Sequence, residues 1–256
     1  MTEIRRFFIA LAYFTRIPIP AWVGWSPAEL NRAARYLPLV GLLVGLIAAG
    51  WLYLCIQFVP LRPALLLSMI ASLLLTGAFH EDGLADSADG FGGGWEKDRV
   101  LAIMKDSRIG TYGATALLMA LLLKFSALEA LKSFALLALP VVHASSRTVA
   151  LMLMASMNYV REDDSTKAKP VAQGLGPAEW LTGLLLGLAP LVIAYALGWL
   201  PLRAVLALLG ASAVSGLVWA AYIKRRIGGY TGDALGACQQ IAELGGYLAL
   251  CATLLR

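Results

Sequence analysis

The chain has 256 residues, 59% of them hydrophobic and only 14% charged, with a formal net charge of +5 and a mean hydropathy of +0.73. That balance excludes a large soluble core and defines an integral membrane protein. No basic patch with interleaved aromatics points to nucleic acid. The cysteines Cys55, Cys238 and Cys251 form no CxxC pair and read as core residues, not as a metal or disulfide framework.

Residues 3–15 (EIRRFFIALAYFT) are amphipathic and basic and run into the Arg16–Pro20 break (RIPIP). This pattern predicts a segment lying on the membrane surface, not a cleaved leader or a span. Seven apolar segments follow, at 37–58, 63–80, 113–131, 133–155, 180–199, 201–222 and 240–255. Most reach the roughly 20 residues that a helix needs to cross a bilayer, while the second and the last are short. Lys and Arg number five before residue 37, four in 80–112, three in 156–179 and three in 223–239. The alternate connections hold one each, at Arg62, Lys132, Arg203 and Arg256. By the positive-inside rule the N-terminus is cytoplasmic and the C-terminus outside. The expectation is one all-α, polytopic membrane domain over residues 1–256, with about seven transmembrane helices.

The second apolar segment leads into His80–Gly94 (HEDGLADSADGFGGG), where four acids fall within nine positions. Asp82, Asp86 and Asp89 stand at i, i+4 and i+7, which on an α-helix is one narrow stripe. Three carboxylates so placed repel one another. They are hard oxygen ligands that suit Mg²⁺, an ion that typically takes one or two carboxylates plus substrate phosphate oxygens. The bland alternative is a solvated acidic face. Only Gly77 and Gly83 interrupt the stretch from Thr76 to Asp89, and membrane helices tolerate glycine. The second spanning helix is therefore expected to run on to about Asp89 and to end at Gly90 and Gly92–Gly94. There Gly92 and Gly93 would offer backbone N–H groups to an anion.

Further along, Lys105 and Arg108 in KDSRIGTYG follow within reach of a phosphate, and arginine suits a two-point phosphate contact. The alternative is a pair of membrane-flanking anchors. Arg147 lies inside the fourth apolar segment, where an ionisable residue defaults to a functional reading unless it snorkels to the interface. Asp233 stands among Gly228, Gly229, Gly232 and Gly236 in KRRIGGYTGDALG. It is either a helix cap or a residue for catalysis or a second metal contact. His80 and His143 read as satisfied hydrogen bonders, since no His/Cys set has zinc spacing. The acidic motif, KDSRIGTYG, the loop 156–179 and KRRIGGYTGDALG all fall on the cytoplasmic side, which predicts an active site at that membrane surface.

Clustered carboxylates, phosphate-binding bases and a membrane surface point to phosphoryl chemistry on a membrane-associated substrate. Asp86-x-x-Asp89-Gly90 resembles the start of the CDP-alcohol phosphotransferase signature, but the Ala-Arg pair expected after the glycine is absent. The chain more closely resembles the cobalamin synthase (adenosylcobinamide-GDP ribazoletransferase) family. The likeness rests on TRIPIP (Thr15–Pro20), FHEDGLADSADG (Phe79–Gly90), IMKDSRIGTYG (Ile103–Gly113), Ser146-Arg147 and GGYTGDALGA (Gly228–Ala237). Glu81 departs from it, because an apolar residue is common there in that family.

The resemblance implies a bacterial inner-membrane, multi-pass enzyme that joins adenosylcobinamide-GDP to α-ribazole or its 5′-phosphate and releases GMP. It implies Mg²⁺ on Asp82, Asp86 and Asp89, with Lys105, Arg108 and Arg147 holding the GDP part. Asp89, Asp106 or Asp233 would be the base, and the sequence does not choose among them. The partners implied are the two substrates and the lipid bilayer, with no nucleic acid and a homo-oligomer left open. The rival readings are a lipid-headgroup phosphotransferase of the CDP-alcohol type and a cation transporter.

Overall fold

The structure is a computed structural model that describes residues 2–24, 26–160 and 175–255. The helices are α1 (Thr2–Phe14), α2 (Pro27–Ala33), α3 (Leu37–Cys55), α4 (Leu61–Thr76), α5 (Phe79–Gly93), α6 (Lys97–Met104), α7 (Thr111–Leu131), α8 (Ala135–Ser156), α9 (Pro177–Ala196), α10 (Leu202–Ile227) and α11 (Gly232–Leu254). Among the described residues no strand forms; an isolated bridge pairs Tyr159 with Tyr230. The seven apolar segments read from the sequence coincide with α3, α4 and α7–α11.

Polarity is distributed inside out. Leu46, Trp51, Leu118, Leu122, Leu185, Val192, Leu206 and Leu217 are exposed on the flanks, whereas Lys124, Arg147 and Glu243 are buried. A chain dissolved in hydrocarbon favours this arrangement, since charges avoid lipid and apolar side chains do not. The stretches 29–55, 111–156, 177–196 and 202–227 are long and apolar enough to cross a membrane. The protein is an all-α polytopic membrane protein.

The 46-residue stretch Thr111–Ser156 is a hairpin. Lys132 has φ 53°, a left-handed conformation that breaks the helix between α7 and α8. Lys124 on α7 and His143 on α8 both meet Glu243 of α11. On one straight helix those two residues would stand about 28 Å apart. Elsewhere α3 packs antiparallel to α8 through Gly41 and Gly45, where any Cβ would strike the backbone of His143 and Leu139. The surface segment α1 buries Ile9, Ala10, Leu11 and Phe14 and is tied down by Arg6, whose Nε donates to Glu29 at 2.8 Å.

The expected uninterrupted helix through Thr76–Asp89 is not formed. Gly77 (φ 65°) and Ala78 (φ 55°) are both left-handed, and α4 and α5 meet at 86°. The cause is tertiary. Gly77 N–H returns to Leu73 O as a C-terminal cap, Arg16 N–H donates to Leu75 O at 2.7 Å, and the Arg16 guanidinium fills the space where a Gly77 side chain would sit. Gly90 does not end the helix either, which continues to Gly93. Neither α4 nor α5 is long and apolar enough to cross alone; they meet that condition only as a bent pair.

Gly77→Ala combines a left-handed backbone with a clash, so it should cost about 1–2 kcal/mol or more. Gly50→Ala, where a Cβ meets nothing within 4 Å, should be neutral or stabilising by up to about 1 kcal/mol. Thermal melting of the two variants in detergent compares them directly.

Candidate active site on helix α5

The acidic stripe stands on α5, and its three carboxylates have three different environments. Asp82 is exposed, Asp86 half-buried and Asp89 buried. Asp89 Oδ2 accepts the N–H of Gly110 at 2.7 Å and Oδ1 accepts that of Gly113 at 2.9 Å. Those amides belong to the first turn of α7, where N–H groups have no partner within the helix and the helix dipole favours an anion. Any Cβ at Gly110 or Gly113 would collide with the carboxylate. The glycines of the RIGTYG motif are thus the space that Asp89 needs. The far end of α5 is held by Arg226, whose Nη2 donates to Gly94 O at 2.6 Å and whose guanidinium lies 5.4 Å from the Phe91 ring centroid.

Among the described residues, no three His, Cys, Asp or Glu side chains converge as a metal-binding set. Asp89 turns toward α7 and Asp82 outward, so the stripe fans out along the helix. Gly92 and Gly93 do not form a loop of open N–H groups, because they lie within the last turn of α5. Their lack of a side chain serves packing: a Cβ on Gly92 would strike the Tyr112 ring, and one on Gly93 would press on Ile103.

Lys105 is exposed at the C-terminal cap of α6. Arg108 Nη2 donates to Asp106 Oδ2 at 2.6 Å and its Nε to Oδ1 at 3.0 Å. The guanidinium holds the Asp106 carboxyl down at about 2, so Asp106 is a poor proton acceptor while the pair stands. Asp233 occupies the first turn of α11, but the cap is Thr231, whose Oγ1 accepts the Ala234 N–H at 3.1 Å. The backbone of Asp233 packs on Gly83 of α5, which brings Asp233 to the same helix crossing as Asp82. Arg147 lies elsewhere, 2% exposed, with Nη1 at 3.0 Å from His143 Nδ1. Part of the polar loop 156–179, residues 161–174, lies outside the described residues.

Beneath α5 the structure gathers a buried polar set that sequence reasoning missed. Lys124 of α7 is ion-paired with Glu243 of α11. Gln239 donates to Ser146 Oγ at 3.0 Å, and Gln240 to Gln239 Oε1 at 2.9 Å and to Glu81 Oε1 at 3.0 Å. The signal was present: Lys124 and Glu243 interrupt apolar segments just as Arg147 does. Glu81, which departs from the family pattern, is buried and accepts a hydrogen bond from Gln240 of α11.

Fold and site together define a polytopic membrane protein with an acidic helix clamped at the end of its bundle. The family model described as cobalamin-5-phosphate synthase (CobS) matches residues 6–251, and the chain belongs to that family. It is 49% identical over 252 residues to the adenosylcobinamide-GDP ribazoletransferase of Shewanella amazonensis, covering 97% of this chain and 95% of the relative. The proteins of that name from Shewanella baltica and Shewanella oneidensis are each 46% identical, covering 97% of this chain and 94% of the relative. No solved structure matches the chain.

Asp89→Asn replaces an acceptor oxygen by an NH₂ facing a backbone N–H, which should cost about 1–3 kcal/mol of stability. Asp82→Asn, on an exposed carboxylate, should stay within about 0.5 kcal/mol of the parent. Thermal melting in detergent distinguishes the two, and equal melting would remove the clamp role of Asp89.

Proposed function

We propose that the chain is an adenosylcobinamide-GDP ribazoletransferase of the bacterial inner membrane. It joins adenosylcobinamide-GDP to α-ribazole or α-ribazole 5′-phosphate, giving adenosylcobalamin or its 5′-phosphate and GMP. The observation that carries this reading is the family match over residues 6–251, which includes every motif built into the α5 site. It favours this activity over the lipid-headgroup phosphotransferase and the cation transporter.

In the reaction a ribazole hydroxyl attacks the phosphorus on the cobinamide side of the diphosphate. The new P–O bond forms as the bond to GMP breaks, and the hydroxyl proton passes to a base. The protein must hold the groups in line and accept that proton. Asp82 and Asp86 stand one helical turn apart with hard oxygen donors, a set that fits Mg²⁺ completed by phosphate oxygens. Bound there, the ion would neutralise charge on the diphosphate. Asp89, with both oxygens taken by Gly110 and Gly113, aims α5 and holds the start of α7 against it.

Lys105 and Arg108 sit on the connection between α6 and α7, immediately before that clamped turn. Arg108 releases Asp106 to grip a phosphate. Asp233 serves as the base in this reading, since its backbone packs on Gly83 at the α5–α11 crossing it shares with Asp82. Arg147, 2% exposed and bonded to His143, belongs to the buried set and does not touch the diphosphate. The N-terminus and the α5 site lie on the cytoplasmic side, as the positive-inside count requires.

Purified protein in detergent with Mg²⁺, adenosylcobinamide-GDP and α-ribazole should release GMP in proportion to new corrinoid. EDTA should stop it, and Asp82→Asn or Asp86→Asn should lower kcat by about 100-fold or more. Release of CMP from a CDP-linked lipid without GMP release would install the headgroup reading, and cation flux into sealed vesicles with no turnover would install the transporter. A reporter active only outside the cytoplasm should give signal when fused after residues 61, 132 and 200. Signal after residue 100 would reverse the orientation.

A further inference from the structure

Glu243 lies 1% exposed and Lys124 4% exposed in the middle of their helices, and their ion pair joins α11 to α7. His143 Nε2 stands 3.6 Å from the same carboxylate. From Glu243 the contacts continue along α11 to Gln239 and Gln240, and Gln240 reaches across to Glu81 on α5. At its other end α5 is joined to α7 by Asp89. Three helices thereby form a closed triangle, with α5–α7 fastened at Asp89, α7–α11 at Lys124–Glu243, and α11–α5 at Gln240–Glu81.

This frame is poorly optimised for stability alone. Glu81 Oε2, His143 Nε2, Arg147 Nε and Tyr247 Oη are buried with no hydrogen-bond partner among the described residues, and unsatisfied buried polar atoms are costly. A buried ion pair is also replaceable, since apolar residues of similar volume are often as stable or more so. What apolar packing cannot reproduce is directional fixing. Glu81 and Asp82 are adjacent residues about 100° apart around α5, so holding Glu81 against α11 determines where Asp82 and Asp86 point. Lys124 lies about 16 Å along α7 from the clamped Gly113, too deep to touch a substrate at that end.

We propose that Lys124 and Glu243 are positioning residues for the transfer reaction: through α7 and α11 they set the rotation of α5 and so the aim of the Asp82–Asp86 pair. This rests on the transferase reading given above. The test separates fixing from stabilising. Lys124→Met alone should lower the melting temperature and the yield of folded protein, because it leaves Glu243 buried and unpaired. Lys124→Met/Glu243→Met should recover the parent melting temperature, yet keep kcat about tenfold or more below the parent, with KM for α-ribazole changed less than about twofold. Its half-activating Mg²⁺ concentration should rise about fivefold or more, as should the Mg²⁺ needed for half of the thermal shift that the ion gives the parent.

The Mg²⁺ thermal shift requires no turnover, so it reads α5 positioning even if the transferase reading fails; absence of GMP from the parent protein overturns that reading alone. Recovery of kcat and Mg²⁺ response together with stability in the double variant overturns the proposal. If the double variant does not accumulate, Lys124→Arg replaces it. This variant keeps the charge but forks its contacts, and it should fold with lowered kcat and a weakened Mg²⁺ response. Parent values in Lys124→Arg would overturn the proposal equally.

Discussion

Asp89 accepting two backbone N–H groups from the start of α7 is the contact around which the site is arranged. A carboxylate at a helix N-terminus meets both unpaired donors and the positive end of a dipole. It can approach so closely only because residues 110 and 113 have no side chains. One carboxylate thereby fastens two separate helices into a single corner. The exposed Asp82 and half-buried Asp86 on one side and the basic residues Lys105 and Arg108 on the other are carried by the elements that meet there.

The bundle beneath reverses the usual order of a soluble protein. Its outer surface is leucine, valine and tryptophan, and its interior includes two ion-paired residues, two glutamines, two histidines and an arginine. In hydrocarbon, apolar residues gain little by hiding, so helix association relies on close packing and on polar groups finding one another. Both devices are visible. Gly41 and Gly45 let α3 lie against α8, Gly83 and Gly236 let α5 cross α11, and the chain of glutamines stitches α11 to its neighbours.

The helical segments were readable from the sequence because apolar runs stand out in hydropathy, and α3, α4 and α7–α11 appear where those runs stand. The acidic motif was readable as chemistry but not as shape. Its periodicity correctly places three acids on one helix, yet periodicity is blind to what a neighbouring helix offers, so Asp89 could not be separated from Asp82 and Asp86. The bend at Gly77 was hidden for the same reason: a glycine in a membrane helix is tolerated either way, and Arg16, sixty-one residues upstream, decides the outcome. Gly92 and Gly93 looked like an anion loop, but their neighbours Tyr112 and Ile103 show them to be packing positions. Lys124 and Glu243 were overlooked because each is an isolated charge set among apolar neighbours, and only their pairing across the bundle reveals them.

The tethers of α5 also have an order in time. A fifteen-residue helix with four acids gains nothing from lipid, and the groups that fasten it to α7 and α11 are made after it: Gly110 and Gly113 come 21 and 24 residues after Asp89, and Gln240 comes 159 residues after Glu81. During synthesis α5 emerges before any of these partners has been made. Its final seat exists only once α11 has been made and packed against it. The frame around α5 is thus completed at the end of synthesis, and a ribosome-bound chain lacking α11 holds the acidic motif without the frame that orients it.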